Sequence, residues 1–176
     1  DSLKLASMLQ YKGLALLQSG EVDQGKETVM KAHQIRLKLL PTDHIELAYS
    51  ANMVYMVFDH LFQYRTADKY IAETHRIMKK NLKPIHPHYA VVLNYYSKVR
   101  QNLGDPLRAK ELLLEAIASN ESSEIWYGLT INYYNLADLY FELGEFELSE
   151  VWFSKSLEMG NTLLANPSLE RANLYD

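Results

Sequence analysis

The chain has 176 residues, 48% hydrophobic and 23% charged, the balance of one folded domain with a sizeable core and not of a disordered tail. It contains no run of eighteen apolar residues, and its start, DSLKLASMLQYKG, lacks the basic-then-apolar order of a secretory leader, so a cytoplasmic protein without membrane association is expected. Zero cysteines exclude disulfides, thiolate nucleophiles and cysteine-bound zinc, and a net charge of −4 gives no global pull toward phosphates, which disfavours nucleic acid as a partner.

In chain order, one motif recurs. Leu9, Lys12, Gly13 and Leu16 step by three or four residues along one helical stripe, Gly20 breaks the helix, and Gly25 and Val29 begin a second stripe. The motif returns 42 residues on as Ala51, Val54, Tyr55 and Phe58, with Ala67 and Ile71 after the turn. It returns again, 42 further, as Leu93, Tyr96 and Ser97, the turn Gly104, then Ala109 and Leu113. The fourth copy follows 40 residues later: Tyr133, Leu136, Ala137 and Tyr140, the turn Gly144, then Ser149 and Phe153. Gly25, Ala67, Ala109 and Ser149 carry the register, since a larger side chain there would push paired helices apart. Three departures weaken single copies: Phe62 stands where a turn glycine belongs, Lys12 in an apolar slot, and Arg100 for an aromatic.

The boundaries agree with this phase. Asp43 and Glu46 are expected to form a capping box, while Asp105-Pro106, Asn166-Pro167 and, less well, His86-Pro87 each set a capping side chain before a first-turn proline. The expected organisation is one domain, 1–176, with repeats at about 6–47, 48–89, 90–129 and 130–171 and the start of a fifth helix pair at 167–176. An uncovered terminal repeat predicts a fragment of a longer array, and leaves self-association through that repeat open.

Read against the pattern W-x2-L-G-x2-Y followed by A-x3-F, the hairpin from Tyr133 to Met159 resembles a tetratricopeptide repeat. The 40 to 42 residue period, with linkers such as LKLLPTDHIELA and NLKPIHPHYAVVLNYY, is similar to the long repeats of kinesin light chains. Comparable repeats occur in large signalling ATPases and bacterial pheromone receptors. The resemblance implies an all-α, right-handed superhelical solenoid of antiparallel helix pairs, whose first helices line a concave groove for a peptide or partner helix.

On that phase the groove faces carry Ser7, Gln10 and Leu14; Tyr49, Asn52 and Met56; Val91, Asn94 and Lys98; Ile131, Tyr134 and Asp138, with Asn135 one residue over. An asparagine amide both donates to and accepts from a peptide unit, so Asn52 and Asn94, at equivalent places, could hold an extended backbone; asparagines in kinesin-light-chain-like repeats do so by resemblance. Gln10, Leu14 and Met53 stand where chaperone-tail clamps place Lys and Asn, which disfavours that ligand. Residues 48–89 carry a net +3 and 130–176 a net −6. The cations Arg76, Lys79, Lys80 and Lys83 read as a solvated helix end, and Glu142, Glu145, Glu147 and Glu150 as a wet turn. Tyr95-Tyr96 and Tyr133-Tyr134 are expected to send one ring to the core and the next toward the groove.

No HExxH, Gly-rich phosphate loop or GxSxG occurs, and His86-x-His88 lacks a third metal ligand. No enzyme activity, metal or cofactor is expected. The expected function is a scaffold or adaptor that binds a protein or peptide; the alternative is a regulatory peptide-sensing domain of a larger signalling or transcription-regulating protein.

Overall fold

The computed structural model describes residues 2–82 and 86–166. Among these are eight helices and no strand: α1 (Ser2–Gln18), α2 (Val22–Leu39), α3 (Ile45–His60), α4 (Tyr64–Asn81), α5 (Pro87–Asn102), α6 (Pro106–Ser122), α7 (Trp126–Glu142) and α8 (Phe146–Ala165). Two compact units result, Asp1–Asn81 with α1 to α4 and Leu82–Asp176 with α5 to α8. In each, consecutive helices pair as antiparallel hairpins, and the second helix of one hairpin packs on the first of the next.

The small residues sit where the repeat requires them. Ala67 and Ala109 are fully buried and Ser149 nearly so, its hydroxyl donating to the Ala137 carbonyl at 2.9 Å. In the first hairpin the approach is closer still: a Cβ on Gly13 would lie 2.6 Å from Val29, and one on Gly25 2.7 Å from Leu17. Only glycine fits at that separation.

Every hairpin turns by one device. The amides of Glu21, Gln63, Asp105 and Glu145 each donate, at 2.9 Å, to the carbonyl five residues back, those of Leu16, Phe58, Arg100 and Tyr140. This helix-ending ring needs a left-handed residue just before the donor. Gly20, Gly104 and Gly144 supply it with φ of 86°, 77° and 76°. Phe62 takes the same region with φ of 56°. The second turn thus keeps the geometry without the glycine, at a steric cost of about 1–2 kcal/mol.

Burial follows the stripes. Unit one is centred on Leu47, Val54, Ile71, Ile77 and Met78; unit two on Leu113, Ile117, Leu129, Leu136 and Leu139, against which Trp126, Tyr133, Tyr140 and Trp152 pack. Each such aliphatic side chain contributes about 1.5–3 kcal/mol by leaving water.

One boundary differs from expectation. Asp43 does not cap α3: His44 does, its Nδ1 accepting from the Glu46 amide at 3.2 Å. Asp43 accepts instead from Arg76 and Lys80 of α4, because two charge-assisted bonds to cations outweigh one bond to a backbone amide. Those cations are accordingly a tether and not only a solvated helix end; Lys83 lies outside the described residues. Asp105 does cap, accepting from the Arg108 amide at 3.2 Å, and Pro106 opens α6. The helix expected from Pro167 lies outside the described residues.

Candidate peptide-binding surface

In unit one the candidate positions fall on α1 and α3. Gln10, Leu14, Tyr49 and Asn52 are half-buried and Met56 is exposed. The Asn52 amide nitrogen reaches the Met56 sulfur at 3.9 Å, a weak contact. Its Oδ1 is buried and has no hydrogen-bond partner among the described residues. A buried carbonyl without a donor is costly.

In unit two the same positions meet across helices. Asn94 on α5 gives its Nδ2 to the Ala90 carbonyl at 3.1 Å and accepts at Oδ1 from Asn135 of α7 at 3.0 Å. One turn on, Lys98 faces Asp138 at 3.7 Å, and beyond them Gln101 donates to Glu142. The partners are 41, 40 and 41 residues apart in sequence, one repeat each. A polar seam therefore runs along two successive first helices, formed by Asn94, Lys98, Asn135 and Asp138 themselves. The amide of Asn94 is already engaged, whereas the Oδ1 of Asn52 is buried without a partner among the described residues. Glu142 belongs to this seam and not merely to a wet turn.

The tyrosines divide as the helical pitch requires. Tyr133 is half-buried against the core and contacts Trp152 with ring centroids 5.5 Å apart, while Tyr134 is 53% exposed and meets Phe153 of α8 at 5.5 Å. Tyr96 is half-buried and Tyr95 exposed. Beside Phe153 a shallow cavity of about 410 Å³ is lined by Phe141, Phe146 and Leu157, all exposed.

Sequence reasoning overlooked a set of buried polar residues. His33 bonds Ser50 at 2.8 Å, and burial, aided by the neighbouring Arg36 charge, pushes its pKa down. Arg36 itself is buried on α2, and Asn120 and Asn132 bond each other inside unit two. The signal for Arg36 was present: with Val29 and His33 it falls on the buried stripe of α2, at three- and four-residue steps. Tyr89 donates to Glu115 across α5 and α6, and burial first, then that carboxylate, holds its phenol protonated well beyond the usual range.

Among the described residues no group of three or more His, Asp or Glu side chains could share an ion. His86 caps α5, its Nδ1 accepting from the His88 amide at 3.3 Å. Nor is any helix among the described residues long and apolar enough to cross a membrane.

A family model described as tetratricopeptide repeat matches residues 132–159. No curated protein matches the chain in sequence. Among solved structures, BtubC (BKLC) from P. vanneervenii is similar at a TM-score of 0.85 and 18% identity, over 93% of this chain and 66% of that one. A putative kinesin light chain from Podosopora anserina, with nearly identical TPR-like repeats, is similar at 0.79 and 18% identity over 89% and 75% of the two chains. A signal transduction ATPase with numerous domains from Pyrococcus horikoshii, which carries a tetratricopeptide repeat sensor, is similar at 0.81 and 17% identity over 98% of this chain and 26% of that one. The chain thus spans just under two thirds of the first of these and about a quarter of the last. These likenesses establish the fold: a helical solenoid of tetratricopeptide type.

Proposed function

Since residues 132–159 are a tetratricopeptide repeat and the chain folds as such arrays do, kinesin-light-chain-like repeats included, we propose that it is a non-catalytic, cytoplasmic protein-interaction module. Its ligand is a peptide or partner helix laid along the first helices of a unit. The observation that carries this reading is the seam of Asn94 with Asn135 and Lys98 with Asp138. Side chains at like repeat positions adjoin across successive first helices, as a continuous binding surface needs.

The mechanism is pre-organised recognition. Packed hairpins hold the surface, so the peptide bears most of the ordering entropy. Asn52 turns its amide outward on binding, so that the Oδ1 left unpaired in the buried position accepts from a peptide N–H. Asn94 must exchange its bond to Asn135 for one to the ligand, so it contributes less affinity but favours ligands that match both groups of an amide. Within unit one Tyr49 and Met56 add apolar contact area to the α3 face that carries Asn52, and Gln10 and Leu14 extend that surface onto α1; within unit two Tyr134 adds it on α7. The mixed polarity suits peptide backbone and apolar side chains, not phosphates.

A second reading follows from the likeness to the ATPase sensor, which this chain matches over nearly its whole length while covering a quarter of that protein. Here peptide binding would switch an effector on the same polypeptide. The two readings part on whether the full-length protein has an activity that changes on adding peptide.

The test is peptide-display selection on the wild type beside Asn52→Ala and Asn94→Ala variants of matched helicity and melting. Peptides enriched by the wild type and lost by Asn52→Ala support the surface. No enrichment, or identical enrichment by all proteins, contradicts it.

A further inference from the structure

We propose that unit one carries a second recognition site, a carboxylate pocket built around the buried Arg36. It meets the first-helix surface only at Ser7, and it is not the first-helix clamp of chaperone tails, whose places Gln10 and Leu14 fill.

The side chain of Arg36 is only 5% exposed, yet its partners are few and long. Nε faces the Glu46 carboxylate at 3.9 Å, and Nη2 donates to the Ser7 hydroxyl at 3.3 Å, which itself donates to the Leu3 carbonyl. Nη1 is buried and has no hydrogen-bond partner among the described residues. A guanidinium is always charged and carries five N–H donors in a fixed plane, so burial with an empty donor is a strong demand for an acceptor.

The acceptor has a place. Arg36 lines a cavity of about 360 Å³ together with Lys4, Ser7, His44 and Glu46, and with Leu3 and Leu40 as its apolar wall. Three elements frame it: the start of α1, the last turn of α2 and the N-terminus of α3, capped by His44. Lys4 makes no ion pair among the described residues, so the cavity holds two cations against the single carboxylate of Glu46. One surplus positive charge suits a monoanion better than a doubly charged phosphate group. The planar fork of Arg36 suits a carboxylate, and the leucine wall suits an apolar group beside it. The occupant is therefore a peptide carboxylate with an apolar neighbour, supplied by either an acidic side chain or a free C-terminus.

The repeat shows that the fold does not need this arginine. Eleven residues past the small register residue, Arg36 corresponds to Met78 in the second copy and Gly160 in the fourth. Met78 is buried at that place within the same unit, so Arg36→Met is a substitution that the scaffold already hosts.

The experiment follows the Arg36 Nε–H resonance of the full chain while titrating three capped dipeptides: Ac-Leu-Glu-NH2, uncharged Ac-Leu-Gln-NH2, and Ac-Leu-Leu with a free carboxylate, with inorganic phosphate as a fourth arm. A saturable shift with either or both carboxylate peptides, none with the glutamine peptide, and weaker phosphate binding are expected; the stronger carboxylate arm names the source. Arg36→Met should weaken binding by more than about tenfold, read at the backbone amides of Ser7 and His44. Glu46→Gln, which removes the competing anion, should tighten it by roughly two- to fivefold. No saturable shift with any carboxylate, equal binding by the glutamine peptide, tighter binding of phosphate, or a Glu46→Gln protein that binds no better would overturn the proposal. Display selection on the first-helix surface reads the other site, so either can fail alone.

Discussion

Arg36 and Asn120 occupy one repeat position on the second helices of the two units, yet the units treat a buried polar group there in opposite ways. In unit two the group is sealed: Asn120 gives its amide to Asn132, both are essentially inaccessible, and Gly128 leaves room for them because a Cβ there would strike the Asn120 side chain. In unit one the group opens into a cavity; a buried nitrogen without a partner among the described residues is common to both, Nη1 of Arg36 and Nδ2 of Asn132, so the cavity is what sets unit one apart. One backbone slot thus supports a structural bond in one case and a recognition site in the other. The difference lies in how closely the neighbouring first helices meet it: Asn132 bonds Asn120 directly, whereas Ser7 and Glu46 reach Arg36 only at 3.3 and 3.9 Å.

The sealed side should be the more fragile. Asn120→Ala leaves the Asn132 Oδ1 without its donor and opens a small void, and should cost about 2–3 kcal/mol in urea unfolding. A change within a few tenths would mean that the pair is incidental. Gly128→Ala should cost about 1–2 kcal/mol through overpacking, but in the Asn120→Ala background the cost should vanish or reverse, since alanine then only gains helix propensity. Simple additivity in that double-mutant cycle would break the sealed-pair account.

On the open side, Arg36→Met should change stability by less than about 1 kcal/mol, or raise it, because a loosely compensated buried charge gives way to an apolar side chain. Phe62→Gly tests the turns in the same unit. Relieving its positive φ should stabilise by about 1 kcal/mol, seen as a higher melting temperature, whereas a loss would mean that the ring contact with Tyr64, at 6.3 Å, outweighs backbone strain.

The smallest effect concerns acid. Lys80 and Arg76 hold the Asp43 carboxyl below its ordinary range, as Arg100 and the Arg108 amide do for Asp105. A lowered folded-state pKa means stability that is fully present above the unfolded aspartate value of about 4 and is lost as pH falls toward the folded value. Asp43→Asn should therefore lower the melting temperature slightly at pH 6 and leave it unchanged at pH 2. An equal deficit at both would show that ionisation of Asp43 is irrelevant.

What the sequence disclosed, and what it did not, follows from the same contrast. Periodicity reports which face of a helix is buried, so the stripes through Leu93, Leu136 and Ile71, and the small residues at the crossings, were legible. The turn at Phe62 was legible as an anomaly, because three glycines marked what the backbone wanted there. Partners of polar atoms were not. Asp43 could cap its own helix or cross to α4, and only the arrangement of Arg76 and Lys80 decides between them. The same holds for Asn94, whose amide a period alone would leave free but which Asn135 of the next first helix occupies. Arg36 was visible on a buried stripe, but its unpaired nitrogen depends on Ser7 and Glu46, which reach it from two other helices.

The central claim is that the first helices form the peptide-binding surface. Its most direct measurement is a backbone-amide NMR map of the chain titrated with a peptide obtained by display selection. Shifts concentrated at Tyr49, Asn52 and Met56 on α3 and at Asn94, Asn135 and Asp138 along the seam, with second-helix positions such as Lys69 and Lys110 unmoved, are the predicted result. Shifts confined to the second helices, with Asn52 and the seam unaffected, would contradict it.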